Sequence, residues 1–162
     1  MSMSIKSVLI LLASLIISGC VTNQAMLMPA KDFKQYKDAY IKILPKDNFN
    51  LGSRIIQELS DIGLQVKMID IPEGQSYDSL KPTNKSMIVQ YSYITSWDFT
   101  PYLRSFQIFF YDAHDYTLIA NISYHLMGNL GNTEMRYRAA FNEFRKQLGL
   151  PPKHEFYEDK SE

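Results

Sequence analysis

The chain has 162 residues, 46% of them hydrophobic, and its 17 basic and 17 acidic residues give a formal net charge of zero. A chain without a field of one sign lacks the electrostatic footprint of a nucleic-acid-binding protein, so no nucleic acid is expected as a partner. The length suffices for one domain with a hydrophobic core, and the lone cysteine excludes a disulfide within the chain.

The first 20 residues have the order of regions found in a secretory signal. A polar start with one positive charge, Lys6, precedes an apolar stretch from Val8 to Ile17 that only Ser14 interrupts, and small residues come before Cys20. The apolar stretch is too short to span a bilayer as a helix, which needs about 20 residues. We therefore expect a signal peptide over residues 1–19.

The four residues Ile17-Ser18-Gly19-Cys20 resemble the lipobox of bacterial lipoproteins. The resemblance implies that Cys20 becomes the first residue and carries diacylglycerol and an N-acyl chain such as palmitate, and several chains give a stable anchor. By the sorting pattern of enterobacteria-like lipoproteins, Val21 rather than Asp after the cysteine implies the outer membrane, with the domain facing the periplasm. The alternative locations are the inner membrane and the cell surface. The alternative is an ordinary cleaved signal with a cysteine present by chance.

Composition divides the remaining chain into three parts. Residues 20–37 show no clear period and are expected to form a lipidated tether. Residues 38–150 are expected to form a single domain, and residues 151–162 a loose charged tail.

The first half of the domain predicts a strand, a helix and a strand. Apolar residues alternate over 39–44 and again over 64–69. Between them, apolar residues recur at helical spacing from the expected N-cap Asn50 to the expected C-cap glycine Gly63. Short joints make this a βαβ unit, so the two strands should run parallel.

The second half predicts an antiparallel meander. Alternation indicates three strands, over 87–93, 106–110 and 118–126. With apolar faces kept together, Ala113-His114-Asp115 forms the turn between the last two strands. The expected register is Phe110 opposite Leu118, Ile108 opposite Ala120 and Phe106 opposite Ile122.

A helix over 133–148 follows, because its apolar residues form one stripe. The predicted fold is therefore α+β: a β-α-β unit, a three-strand antiparallel meander and a helix. A five-stranded mixed sheet with two helices on one face is the simplest arrangement that buries every apolar stripe.

Part of this domain is similar to a sequence pattern in small uncharacterised proteobacterial outer-membrane lipoproteins. The matching segments are Tyr91-Ser-Tyr-Ile-Thr-Ser-Trp97-Asp98, Thr100-Pro101-Tyr102-Leu103, Tyr111-Asp112-Ala113 and Leu118-Ile119-Ala120. The β-α-β start more distantly resembles the α/β domains of curli- and polysaccharide-secretion lipoproteins and of the periplasmic protein of the Tol system. Neither resemblance implies catalytic residues, and likeness of fold does not establish function.

The sheet face away from the helices is expected to be half apolar and without charge. An exposed patch of this kind often marks a protein contact. We expect another envelope protein or a second copy of the chain to bind there, and the alternative is that the tether or the tail covers the face. The expected contact residues are Ile88, Ile94, Phe109, Tyr111 and Ile119 on the face, with Phe109 opposite Ile119, and Trp97 and Tyr102 in the connection 96–102.

Two other functions are open at this point. Tyr91, Tyr93, Trp97 and Tyr102 could form an aromatic platform for a small ligand or an envelope polymer. Asp112, His114 and Asp115 could form a metal or hydrolytic site, although residues at a tight turn are more simply explained as turn formers. We therefore expect a non-enzymatic protein and assign no catalytic residue, metal ligand or cofactor.

Overall fold

The computed structural model of the chain describes residues 21–70, 77–98, 100–126 and 133–153. The expected signal peptide, Cys20 and most of the expected tail lie outside these ranges. Within them the elements are β1 (Val21–Leu27), β2 (Asp38–Ile41), α1 (Leu51–Asp61), β3 (Gln65–Met68), β4 (Ser86–Asp98), β5 (Thr100–Asp112), β6 (Leu118–Leu126) and α2 (Thr133–Gln147). Two short 3-10 helices cover Phe33–Gln35 and Tyr77–Leu80.

The described strands form a mixed sheet of six, in the order β1-β6-β5-β4-β2-β3. β2 runs parallel to β3, with α1 between them in the chain, which confirms the expected βαβ unit. β2 also runs parallel to β4, and β4, β5 and β6 form the expected antiparallel meander. The expected count of five strands is wrong because β1 adds a sixth at the edge.

The segment after Cys20 is an edge strand, so the expected tether over 20–37 is corrected. β1 pairs antiparallel with β6 along its whole length, from Val21 opposite Leu126 to Leu27 opposite Ala120. Since pairing begins at the first described residue, the domain starts with β1 rather than at position 38.

The rest of the expected tether also belongs to the domain. Phe33 and Tyr36 are both buried in the core. The Phe33 ring stands edge-on against Phe110, with ring centroids 5.6 Å apart, and against Phe144 at 5.2 Å. The hydrophobic effect therefore holds residues 33–36 against the sheet and α2.

The core lies between the sheet and the two described helices. α2 contributes Tyr137, Ala140, Phe141 and Phe144 to it, and the Phe144 ring stacks on Phe110 at 5.3 Å. α1 contributes Leu51, Ile55 and Leu59. In the described part of the chain, neither helix has the length and apolar character needed to cross a membrane.

The ends of α1 correct one expectation and confirm another. Asn50 adopts a left-handed conformation and its side chain makes no cap hydrogen bond. The carboxylate of Asp47 caps the helix instead, accepting hydrogen bonds from the backbone N–H groups of Leu51 (2.9 Å) and Gly52 (2.6 Å). Gly63 follows the helix at a φ of 94°, as expected of a C-terminal glycine.

The register between β5 and β6 differs by two residues from the prediction. Phe110 lies opposite Ala120, not Leu118, and Ile108 lies opposite Ile122, not Ala120. A shift of two residues keeps the side chains from Ala120 onward on their expected faces, because side chains alternate with a period of two. A bulge at Phe110 and Tyr111 accompanies the shift and leaves Ile119 without an opposite residue.

We predict that neighbouring positions in β1 differ sharply in their tolerance of charge. Ala25 packs against the core, whereas Gln24 is exposed on the other face. Ala25→Glu should lower the free energy of unfolding by about 2 kcal/mol, because it forces a carboxylate toward the core. Gln24→Glu should change it by less than about 0.5 kcal/mol. Urea unfolding of both variants measures the difference, and equal small effects would show that the segment is a tether after all.

Candidate functional site

Within the described register, three consecutive rungs on the sheet face opposite the helices carry no Asp, Glu, Lys or Arg across β1, β6, β5 and β4. Three rungs cross these strands: Met26-Asn121-Phe109-Gln90, Gln24-Ser123-Gln107-Ser92 and Thr22-His125-Ser105-Ile94. We call these twelve positions the uncharged face. A shallow depression of about 430 Å³ lies over the second and third rungs.

Some of the predicted contact residues lie on or beside this face and are accessible. Ile94 is 60% exposed, and Phe109 and Tyr111 are half-buried with their rings stacked 6.1 Å apart. Phe109 lies opposite Asn121 rather than Ile119. These side chains supply apolar surface among neutral polar neighbours.

Two other predicted contact residues are buried, and the expectation that they face a partner is wrong. Ile119 is fully buried because the bulge turns it into the core. Ile88 is 1% exposed and lies between Tyr40 and Tyr111 on the neighbouring strands.

The expected connection over 96–102 is instead the far end of two long strands. Ser96 pairs with Tyr102 and Trp97 with Pro101, so β4 and β5 continue as a two-stranded hairpin. Trp97 is 70% exposed. Tyr102 is half-buried, with the Arg136 guanidinium 5.4 Å from its ring centroid.

The structure does not bring the four expected platform rings together as one open surface. Tyr91 is buried, and its hydroxyl donates to Asp47 Oδ2 at 3.1 Å and accepts from the Leu44 N–H at 3.0 Å. Burial raises the pKa of Tyr91 to about 12. The Tyr93 hydroxyl donates to the Lys46 carbonyl. Both hydroxyls therefore fasten the segment before α1 to β4.

Asp112 holds the chain between β1 and β2 against the β5–β6 hairpin. Its Oδ2 accepts hydrogen bonds from Lys31 Nζ (2.9 Å) and the Tyr36 hydroxyl (2.8 Å), and its Oδ1 accepts from the His114 N–H (2.8 Å). Lys31 Nζ also contacts Asp115 Oδ2 at 2.8 Å. We call this group of Asp112, Lys31, Tyr36 and Asp115 the Asp112 clamp.

The electrostatics of the Asp112 clamp indicate a structural role. Burial alone would raise the pKa of Asp112, but hydrogen bonds from the His114 N–H, Lys31 and Tyr36 outweigh it and lower that pKa. Both carboxylate oxygens already accept hydrogen bonds, so they are poorly placed to take a proton from a substrate. Across the described ranges, no three His, Cys, Asp or Glu side chains are placed to hold a metal ion.

A second depression, of about 380 Å³, lies where residues 33–37 meet the C-terminal ends of α1 and α2. Phe33, Tyr36, Leu64 and Leu148 line it, together with Lys34 and Lys37. None of its described lining residues is an acid, a histidine or a serine.

No protein-family model and no curated protein matches this chain. Among solved structures, it is similar to PelC from Paraburkholderia phytofirmans, a dodecamer, with 12% identity over 81% of this chain and 99% of that chain and a TM-score of 0.49. It is also similar to lipoprotein GNA1162 from Neisseria meningitidis, with 12% identity over 70% of this chain and 98% of that chain and a TM-score of 0.41. Similarities at this level support no inference about the function or assembly of this chain.

We predict that Asp112→Asn lowers the free energy of unfolding by about 2 kcal/mol at neutral pH, because a buried carboxylate with several donors is lost. Asp115→Asn changes a neighbouring acid that contacts the same lysine at an exposed position, and should have a much smaller effect. Thermal or urea unfolding of both variants measures the difference.

The effect of Asp112 should also depend on pH. Its pKa is lower in the folded chain than the unfolded value of about 3.9, so its stabilisation is fully present above that value. It is lost as the pH falls through the lower folded pKa, and the gap between wild type and Asp112→Asn should close there. A gap that stays constant down to strongly acidic pH would contradict an ionised clamp.

Proposed function

We propose that this protein is a lipid-anchored envelope protein that acts by protein–protein contact rather than by catalysis, with the uncharged face as its contact surface. The observation that carries the proposal is the absence of Asp, Glu, Lys and Arg from the three rungs of that face in the described register. The partner is another envelope protein or a second copy of the chain.

The composition of the uncharged face suits a surface that leaves water on binding. Burying an unpaired charge costs several kcal/mol, whereas Ser, Asn and Gln can exchange hydrogen bonds with water for hydrogen bonds with a partner. The cores of protein interfaces are accordingly poor in charged residues. Met26 and Ile94, which are 54% and 60% exposed, add apolar area at two corners of the face.

Charges are present on the other described surfaces, which makes their absence from this face a specific feature. On the helix side, Glu134 forms ion pairs with Arg54 and Arg138. At the β2–β3 end of the sheet, Lys67 Nζ lies 3.1 Å from Asp38 Oδ1. These ion pairs thus lie outside the uncharged face.

The anchor is proposed from the sequence. The signal-like order of residues 1–19 and the match of residues 17–20 to a lipobox support acylation at Cys20. With Val21 next, we propose the outer membrane, with the domain facing the periplasm. Because β1 begins at Val21, the anchor would hold the domain against the lipid surface without a spacer.

We predict that Cys20→Ala abolishes acylation and leaves the chain as an uncleaved precursor. Ser18→Ala is the matched control, since it keeps a small residue before the cysteine and should be processed normally. Metabolic labelling with palmitate, followed by mass spectrometry of the N-terminus, measures both. A Cys20→Ala chain cleaved as efficiently as wild type would indicate an ordinary signal peptide.

We predict that Gln107→Lys, at the centre of the uncharged face, weakens the partner complex at least about tenfold, because the new ammonium must be buried unpaired. Gln57→Lys makes the same change at an exposed position on α1 and should leave the complex intact. Affinity capture from crosslinked envelopes tests binding to another protein, and sedimentation velocity tests self-association. Identical complexes for the two variants would refute this use of the face.

A further inference from the structure

The β4–β5 hairpin extends beyond the rest of the described sheet at one end. The last complete rung of the four antiparallel strands there runs from Thr22 through His125 and Ser105 to Ile94. Past this rung, β1 and β6 each add one described residue, the pair Val21 and Leu126. β4 and β5 continue to their last pair, Asp98 and Thr100.

This end of the sheet is also where the chain arrives from Cys20. Trp97 lies three residues beyond Ile94, which corresponds to about 10 Å along the strand. Val21, which directly follows Cys20 in the sequence, lies one residue past that rung on β1. Three strand spacings, about 14 Å, separate β1 from β4. Trp97 and Val21 therefore lie past the same rung at two separate points of this end of the sheet.

Three of the six exposed large hydrophobic side chains in the described ranges lie at this end. Trp97 is 70% exposed and Ile94 60%. Met135 is 53% exposed in the first turn of α2, and that turn lies at the same end because the Leu103 N–H donates to Thr133 Oγ1. Tryptophan is enriched at the boundary between lipid headgroups and acyl chains, because its ring is apolar and its N–H is polar.

We infer that the hairpin tip enters the lipid surface, with Trp97 as a second point of membrane contact beside the acyl chains on Cys20. The inference rests on the proposed anchor. The strands then point toward the membrane, and the β5–β6 hairpin with the Asp112 clamp lies at the far end. The uncharged face stands at a steep angle to the bilayer, open to a partner anchored in the same leaflet.

Trp97 is the only tryptophan in the chain, so its fluorescence reports on the hairpin tip alone. The test uses the full acylated protein in vesicles of phosphatidylethanolamine and phosphatidylglycerol, with and without bromine on the upper acyl carbons. We expect the emission to shift to shorter wavelength and to lose most of its intensity with brominated lipid. The control is Trp97→Phe combined with Tyr116→Trp, which moves the probe to the exposed β5–β6 turn and should not be quenched.

Flotation of the same vesicles separates the possible failures. Protein that floats with a quenched Trp97 and an unquenched probe at position 116 supports the inference. Protein that floats with Trp97 unquenched overturns it and leaves the anchor standing, and crosslinking of Trp97 to a protein would then assign the tip to a protein partner. Protein that does not float refutes the anchor, and the inference with it.

Discussion

The placement of the first strand depends on a buried carboxylate at the opposite end of the sheet from the hairpin tip. β1 lies outside β6 while β2 lies beyond β4, so residues 28–37 must cross the end of three strands. Asp112 fixes the crossing through Lys31 and Tyr36. Backbone hydrogen bonds from Met28 to the Ile119 carbonyl and from Lys37 to the Lys85 carbonyl, both 2.8 Å, secure its two ends. The donors of Lys31, Tyr36 and the His114 N–H offset the cost of burying the charge of Asp112.

Two properties of the molecule follow from that crossing. Pairing of β1 with β6 widens the uncharged face to four strands, since Gln24 and Met26 extend its rungs. The same pairing places Val21, which directly follows Cys20 in the sequence, at the end of the sheet where Trp97 lies. In this account, the crossing by residues 28–37 sets the relative positions of the anchor, the hairpin tip and the uncharged face. The uncharged face then stands at a steep angle to the membrane surface.

The sequence predicts the elements whose periodicity is strong, such as α1 with Gly63 at its end and the parallel strands on either side. It does not predict β1, because the side chains of that edge strand described as packing against the core are just two, Ala25 and Leu27. The alternation of apolar and polar residues predicts which strand face is uncharged. It does not fix the register, because registers that differ by two residues satisfy the same pattern, and it does not predict the bulge that buries Ile119. The partners of Asp112 lie 81 and 76 residues away in the chain, and nothing local connects them.

Disulfide trapping of the β1–β6 pair tests the account most directly. Gln24 and Ser123 are opposite residues on adjacent strands, and such Cα atoms lie about 5 Å apart, within disulfide range. Gln24 and Gln107 are two strands apart, about 10 Å, and out of range. In a chain whose Cys20 is replaced by Ala, the account predicts that cysteines at positions 24 and 123 form a disulfide rapidly and that cysteines at 24 and 107 do not. Equal trapping of both pairs, or of neither, would contradict the edge strand and the membrane arrangement derived from it.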